Sequence, residues 1–217
     1  MAKETREIKD VEKVVLRGYG ELIIKQGDQE SLEIETDEEF MDHVKTRVEN
    51  GKLQIDVVGE WLDRITTFFS RGYESQRIIY NLTVKELTGL TVSGAARVRV
   101  DGLKTENLAV RLGGAAEIDI DTLDVGSLKV DLPGTGNIMV EGTAQEQDVN
   151  VSGAGAYSAR KLESTYARVR ITGIGKAIVQ ATEDLDISVS GVGSVEYYGN
   201  PRVQQSVSGL GHVTSKG

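Results

Sequence analysis

The sequence has no cysteine and only two prolines among its 217 residues. A chain without cysteine has no disulfide framework and no cysteine-based zinc site. It also lacks any apolar run near the roughly 18 residues that a membrane-spanning helix needs. Because proline is so scarce, the many glycines do not indicate a disordered proline- and glycine-rich chain. They must therefore occupy an ordered pattern.

Basic residues are fewer than acidic residues in this chain. Lysine and arginine total 25 against 34 acidic residues, which gives a net charge of −9. This balance argues against nucleic acid as a partner, since nucleic acid selects for clustered basic residues. It equally disfavours docking on an anionic membrane surface. The first residues show no apolar stretch typical of a secretion leader, which fits either a cytoplasmic protein or one whose leader has been removed.

Glycine is abundant, with 25 residues or about 12% of the chain, against about 7% in an average protein. Many of these glycines recur at a regular interval. The differences between successive positions in this series are 20, 20, 19, 20, 18 and 18 residues. The series consists of Gly94, Gly114, Gly134, Gly153, Gly173, Gly191 and Gly209. Such a fixed period indicates a repeat architecture.

Within each repeat the apolar residues alternate with polar or small ones, as Leu108, Val110 and Leu112 do. A period of two is typical of a strand with one buried face. About 20 residues at about 3.3 Å each give a perimeter near 65 Å, which suits a coil of two or three short strands. Leucine-rich and propeller repeats have other patterns or periods. We therefore predict a right-handed parallel β-helix, or solenoid, of about seven coils over residues 81–217.

Charged residues support the same register. The position five before each glycine carries alternating signs, and stacked opposite charges favour one register. This column contains Lys129, Asp148, Arg168 and Asp186. By the same alignment, Arg97 should stack on Glu117, Arg99 on Asp119, and Arg111 on Asp131.

The repeated glycines are expected at sharp corners, where glycine reaches positive φ without a steric penalty. A column of hydroxyl residues precedes these corners. We expect these hydroxyls to satisfy the corner amides, and a ligand-binding hydroxyl row is the alternative. The column contains Ser93, Ser152, Thr172, Ser190 and Ser208.

Residues 1–60 are predicted to form an antiparallel β layer that caps the first coil and continues into the solenoid. Asn50-Gly51 is a strong hairpin signal within it. One stretch of this layer, Leu16 to Gly20, looks like an eighth and more distant copy of the glycine repeat.

Residues 61–80 break the pattern as an aromatic-rich insert. Its large apolar residues fit one face of a short helix. The helix has three candidate roles: a cap packed on the solenoid, a protein–protein contact, or a membrane contact. The residues concerned are Trp61, Leu62, Ile65, Phe68 and Phe69.

Four segments carry a resemblance to a known family: 15–24, 48–55, 78–87 and 90–96. In this order they resemble the auto-transporter adhesin, head GIN domain family, over nearly the whole chain. Glu86-Leu87 departs from the proline-containing pair that members often have. The resemblance implies a bacterial β-solenoid at the cell surface, in the periplasm or secreted, and it supplies no catalytic residues.

No constellation for catalysis, cofactor binding or metal binding emerges from the sequence. His43 and His212 lie far apart without a matching acid and nucleophile. The stretch from Gly113 to Asp119 only partly matches the calcium-binding nonapeptide. Asp119, with neighbouring Asp121 and Asp124, fits a solvated outer face.

We therefore expect a non-enzymatic adhesin or scaffold without a cofactor, whose partner is a surface glycan or a protein. The alternatives are a carbohydrate-active enzyme on a β-helix and a self-assembling structural element. We also expect a homo-oligomer, a dimer or trimer, formed through the C-terminal coil or the aromatic segment. The reason is that an uncovered solenoid end exposes unpaired strand edges.

Overall fold

The computed structural model describes residues 2–58 and 77–217. Most of the aromatic-rich insert, with Trp61, Leu62, Ile65, Phe68 and Phe69, lies outside the described residues. The fold is 77% strand and 2% helix, and it forms a β-solenoid of about six turns with an antiparallel N-terminal layer. The predicted fold class is confirmed. The glycine spacing predicted about seven coils, one more than the structure forms.

The strands and the single short helix follow one another along the chain. They are β1 (Ala2–Arg6), β2 (Lys13–Arg17), β3 (Tyr19–Gln26), β4 (Ser31–Thr36), α1 (Glu38–Met41), β5 (Val44–Glu49), β6 (Lys52–Val57), β7 (Ile79–Val84), β8 (Gly89–Val92), β9 (Ala95–Leu112), β10 (Ala115–Leu132), β11 (Thr135–Val151), β12 (Ala154–Ile171), β13 (Ile174–Val189), β14 (Val192–Tyr198), β15 (Arg202–Val207) and β16 (Leu210–Ser215).

The repeats stack as parallel coils in the register that the glycine alignment predicts. Each of β9 to β13 is one bent strand of 16 to 18 residues. Gly155, two residues after its corner glycine, pairs with Gly136 in the previous coil and with Gly175 in the next. Equivalent positions therefore form straight columns along the solenoid.

The N-terminal region contributes both a coil and a cap. The pairs β1–β4, β4–β7 and β5–β6 are antiparallel, which confirms the predicted layer. The β5–β6 hairpin turns at Asn50-Gly51, and both residues have positive φ as this turn requires. In contrast, β2 and β3 pair in parallel with β8 and β9. The stretch Leu16 to Gly20 is therefore a repeat inside the stack, as its likeness to the glycine repeats predicted.

Aliphatic columns fill the interior because alternate residues of every coil point inward. One column lies two residues before each corner glycine, and all its members from β9 to β13 are fully buried: Leu112, Leu132, Val151, Ile171 and Val189. Burial of one such side chain contributes about 1.5–3 kcal/mol. Stacking the coils thus removes one side chain of each column from water at every turn.

The corner glycines stand where successive backbones meet. A Cβ atom built on Gly173 would overlap the carbonyl oxygen of Gly153, and one built on Gly94 would overlap that of Gly18. None of the seven corner glycines lies in the positive region of φ. The expectation that positive φ requires glycine here is therefore wrong. The contact leaves no room for a side chain at the glycine of the later coil.

The corner amides bond to backbone carbonyls of the preceding coil. Gly173 N donates to Val151 O at 3.2 Å, and Ile174 N donates to Gly153 O at 2.9 Å. The same two bonds recur at Gly114, Gly134, Gly153, Gly191 and Gly209. At Gly94 the first bond is replaced by one from Ser93 N to Leu16 O at 2.9 Å. The expectation that hydroxyl side chains satisfy these amides is wrong. The hydroxyl column of Ser152, Thr172, Ser190 and Ser208 is instead exposed to solvent.

The outer charges lie in the predicted columns. Lys129 pairs with Asp148, Asp148 with Arg168, and Arg168 with Asp186. Salt bridges join Arg168 to Asp186 at 3.3 Å and Arg170 to Asp148 at 3.1 Å.

The three other predicted stacks are also in register. Arg97 forms a salt bridge with Glu117 at 2.8 Å, and Arg111 forms one with Asp131. Arg99 stacks on Asp119 but reaches Asp101 at 3.6 Å and Asp121 at 3.8 Å, because a long exposed side chain is free to choose a diagonal partner.

A small polar network interrupts the apolar core. Gln147 stands in a column between Leu128 and Ala167 and is almost fully buried. The hydroxyl of buried Tyr157 donates to Gln147 Oε1 at 3.1 Å, and Gln147 Nε2 donates to Ser164 Oγ at 2.8 Å. Burial raises the pKa of Tyr157, so the phenol stays neutral and donates. Each buried polar atom of this group has a partner, as buried polar atoms require.

We predict that Gly173→Ala lowers the free energy of unfolding by more than about 2 kcal/mol, since the added methyl group displaces a corner carbonyl. Gly113→Ala is the matched control, because a Cβ at Gly113 meets its nearest neighbour, Val92 O, only at 3.8 Å. The control should change stability by no more than about 0.5 kcal/mol. Denaturant titration of both variants measures the difference. Equal effects would show that the corner contact does not require glycine.

We predict that Tyr157→Phe destabilises the protein by about 1–3 kcal/mol, because it leaves Gln147 Oε1 buried without its donor. Gln147→Leu should have a similar effect through the orphaned phenol. The double variant should lose less than the sum of the two, since both partners are removed together. A thermodynamic cycle from denaturant unfolding tests this, and strictly additive losses would contradict the network.

Candidate functional site

A shallow cleft of about 330 Å³ crosses the outer face of the later coils. Two exposed columns of polar side chains border it, one residue from each coil. The first column lies seven residues before each corner glycine and contains Ser127, Glu146, Tyr166, Asp184 and Arg202 in register. The second is the charged column at position five, which continues from Asp186 to Gln204. The strand backbone thus places these side chains side by side at each turn.

Tyr166 stands at the centre of the cleft. Its side chain is exposed, with 42% of the residue's surface accessible. Its hydroxyl donates to Glu183 Oε2 at 2.9 Å. That hydrogen bond raises the pKa of Tyr166, so the phenol is neutral at physiological pH. The ring is therefore held at its tip while part of it remains exposed to solvent.

Two ion pairs flank the tyrosine. Arg202 Nη2 lies 2.9 Å from Asp184 Oδ2, and Arg168 Nε lies 3.3 Å from Asp186 Oδ2. The bond to Asp184 raises the pKa of Arg202. These pairs are exposed, so each adds little to stability. Their consequence is geometric, because each guanidinium and carboxylate is oriented by its partner.

The buried network lies directly beneath the cleft. Gln147 and Ala167 belong to the inward column between the two polar columns, and both line the cleft from below. The side chain of Gln147 also donates to Gln180 O at 3.2 Å. Ala167, next to Tyr166, is the smallest residue of this floor.

A second depression, of about 540 Å³, lies at the corner of the early coils. Its floor consists of small residues such as Ala96, Ala116 and Gly136, and its rim includes the Arg97–Glu117 ion pair. Arg77 and Ile78 also line it.

An aliphatic row runs along the corner of the last coils. Ile174, Val192 and Leu210 pair in register at the position after the corner glycine. Ile174 is 67% exposed and Leu210 is 80% exposed. The equivalent position in earlier coils holds smaller residues, Ala115, Thr135 and Ala154. The apolar row is thus a property of this end of the solenoid.

The residues that the sequence analysis weighed for chemistry are scattered. His43 Nδ1 lies 3.1 Å from Val58 O, and its ring lies 5.9 Å from that of Phe40. His212 lies on β16 beside Ser194. Partial burial, with Glu117 and Asp121 nearby, raises the pKa of Asp119, but Asp119 stacks between Arg99 and Met139. Within residues 2–58 and 77–217, no group of three or more His, Asp or Glu side chains is placed to hold a metal ion.

No helix in the described part of the chain is long and apolar enough to cross a membrane.

The Tyr166 cleft is the feature that sequence reasoning missed. Its residues are about 18–20 positions apart, so no local motif marks them. The signal was present in the glycine alignment, because the position seven before each corner holds Glu146, Tyr166, Asp184 and Arg202 in succession. Reading that column as closely as the one at position five would have found it.

Comparison with solved structures establishes the fold independently. A putative adhesin from Bacteroides fragilis superposes with a TM-score of 0.87 at 24% identity, covering 99% of this chain and 96% of that one. A putative lipid binding protein from Parabacteroides distasonis gives a TM-score of 0.71 at 22% identity, covering 99% and 97% of the two chains. A putative adhesin from Parabacteroides merdae gives 0.69 at 21% identity, covering 100% and 96%. At these identities the likeness concerns the fold alone.

A search of curated protein sequences gives no match. The sequence profile described as putative auto-transporter adhesin, head GIN domain, matches residues 10–201. Since this match spans most of the 217 residues, the chain belongs to the putative auto-transporter adhesin, head GIN domain family.

Proposed function

We propose that the protein is a non-catalytic cell-surface or envelope protein that binds a partner on the outer face of its solenoid. The observation that carries this proposal is the Tyr166 cleft, where polar side chains from successive coils converge around one exposed aromatic ring. Membership of a family described as adhesins supports the same conclusion.

The solenoid is suited to holding a binding face rigid. Backbone bonds tie every corner to the coil before it, and the columns below the cleft are fully packed, as Leu128 and Leu185 illustrate. Side chains on regular strands are positioned more accurately than side chains on loops. A partner therefore meets a preformed surface, which lowers the entropic cost of binding.

The described carboxylates do not favour catalysis. A glycosidase needs two carboxyl groups across the scissile bond, one of them with a raised pKa. Asp184 and Asp186 in the cleft each form a salt bridge with an arginine. Asp119, whose pKa is raised, lies on a different part of the coil.

We predict that intact cells of the species that encodes this chain bind an antibody against it as well as permeabilised cells do. An antibody against a cytoplasmic protein is the control and should bind only after permeabilisation. In parallel, the purified protein should release no reducing ends from a panel of polysaccharides. Labelling confined to permeabilised cells would contradict the surface location. Release that Asp184→Asn abolishes would favour the carbohydrate-active enzyme.

Self-association is a second candidate function, favoured by the exposed aliphatic row Ile174, Val192 and Leu210. Exposed aliphatic side chains in a contiguous row indicate an interaction surface. Each of β15 and β16 also pairs with one strand only among the described residues. The aromatic segment, with Trp61 and Phe68, is the other proposed interface, on sequence grounds.

We expect light scattering behind a sizing column to give a multiple of 23.5 kDa for the wild-type chain. Leu210→Asp should reduce the mass if the aliphatic row is the interface, whereas Trp61→Ala with Phe68→Ala should do so if the aromatic segment is. A mass near 23.5 kDa at tens of micromolar would contradict self-association.

A further inference from the structure

We propose that the Tyr166 cleft binds a neutral, linear oligosaccharide, with one sugar ring lying against the open face of Tyr166. The inference rests on the proposed function, since it names the class of partner for the same outer face. It follows from four properties of the cleft: an exposed aromatic ring, oriented polar groups, the arrangement of its charges, and length.

Tyr166 supplies the aromatic surface of the cleft. An exposed tyrosine ring offers an apolar surface with a polar edge, and a pyranose ring presents an apolar C–H face bordered by hydroxyls. Tyr166 is held in place by the bond from its hydroxyl to Glu183. The tether fixes the orientation of the ring without covering it, so little side-chain entropy is lost when a flat ligand stacks on it.

The flanking groups suit hydroxyl ligands. Arg202 and Arg168 each use part of their guanidinium on a carboxylate, and a guanidinium carries five N–H donors in a planar fork. Asp184 and Asp186 keep further lone pairs, and Gln204 adds an amide that both donates and accepts. A sugar hydroxyl also both donates and accepts, so neighbouring hydroxyls find complementary partners on either side of Tyr166.

The charge of the cleft selects among polar ligands. Asp184 and Asp186 are neutralised by their arginines, while Glu146 and Glu183 add negative charge beside Tyr166. An acidic glycan would meet these carboxylates and be repelled. A basic peptide would be attracted by Glu146 and Glu183 but would have to compete with Arg168 and Arg202 for the aspartates. A neutral saccharide meets neither obstacle.

The length of the cleft fits a short chain of sugars. The first polar column runs over five coils, from Ser127 to Arg202. Coils stack about 4.8 Å apart, so the column spans about 19 Å. One step is close to the length of one sugar ring, so successive residues of an oligosaccharide meet successive coils.

The test is calorimetric titration of the full chain with cellohexaose, xylohexaose, mannohexaose and chitohexaose, with a lysine decapeptide as the competing class. We expect saturable binding of at least one hexaose. Tyr166→Ala should weaken it by about tenfold or more, as truncation of a central aromatic anchor does. Tyr166→Phe keeps the stacking face and should retain most of the affinity. Met139→Ala is the matched control, because Met139 is also large and exposed but lies outside the cleft.

Each outcome of the titration supports or contradicts the saccharide site. A loss of hexaose affinity in Tyr166→Ala, with no loss in Met139→Ala, supports the saccharide site, provided that thermal melts of both variants match the wild type. Equal loss in both variants, or binding of the lysine peptide in preference to every hexaose, overturns it. If no hexaose binds, the saccharide inference fails. Labelling of intact cells would then still uphold the surface function, and its absence would show that the proposed function had failed as well.

Discussion

The contact between backbones at each corner governs the rest of the molecule. Gly173 faces the carbonyl of Gly153 so closely that no side chain fits, and that carbonyl accepts the amide of Ile174 in the next coil. The close approach and the hydrogen bond thus occur at the same carbonyl group. A shift of one residue at Gly173 would place Thr172 or Ile174, each with a Cβ atom, at this contact. The corner therefore disfavours one-residue slips, which would also turn the buried face of the strand outward.

Fixed register turns the sequence into columns, and the columns determine the surface. Inside, they stack aliphatic side chains, and Gln147 and Tyr157 form a satisfied polar group among them. Outside, they stack opposite charges such as Arg168 and Asp186. Exposed pairs contribute little stability, so their value lies in discriminating against wrong registers and in orienting groups around Tyr166. A rigid framework and a preformed cleft are thus consequences of one corner contact.

Much of the fold could be predicted from the sequence, and each wrong prediction has a physical cause. Glycine spacing predicted the coils, and the charge column from Lys129 to Asp186 predicted their alignment. Sequence does not distinguish glycine needed for close approach from glycine needed for positive φ, so the reason given for Gly173 was wrong. The hydroxyls of Ser152 and its column were assigned to amides that backbone carbonyls satisfy. The Tyr166 cleft escaped because its members are brought together only by the stacking of coils.

The most direct test of this account is native-state hydrogen exchange at the corner amides, resolved by NMR. Gly134 N and Ile174 N, which donate to the preceding coil at 2.9 Å, should be as strongly protected as amides in the middle of β10 and β13. Their exchange should be limited by global unfolding, because opening one corner means separating two coils. Fast exchange at these amides, with the strands still protected, would contradict the claim that the corners hold the coils in register.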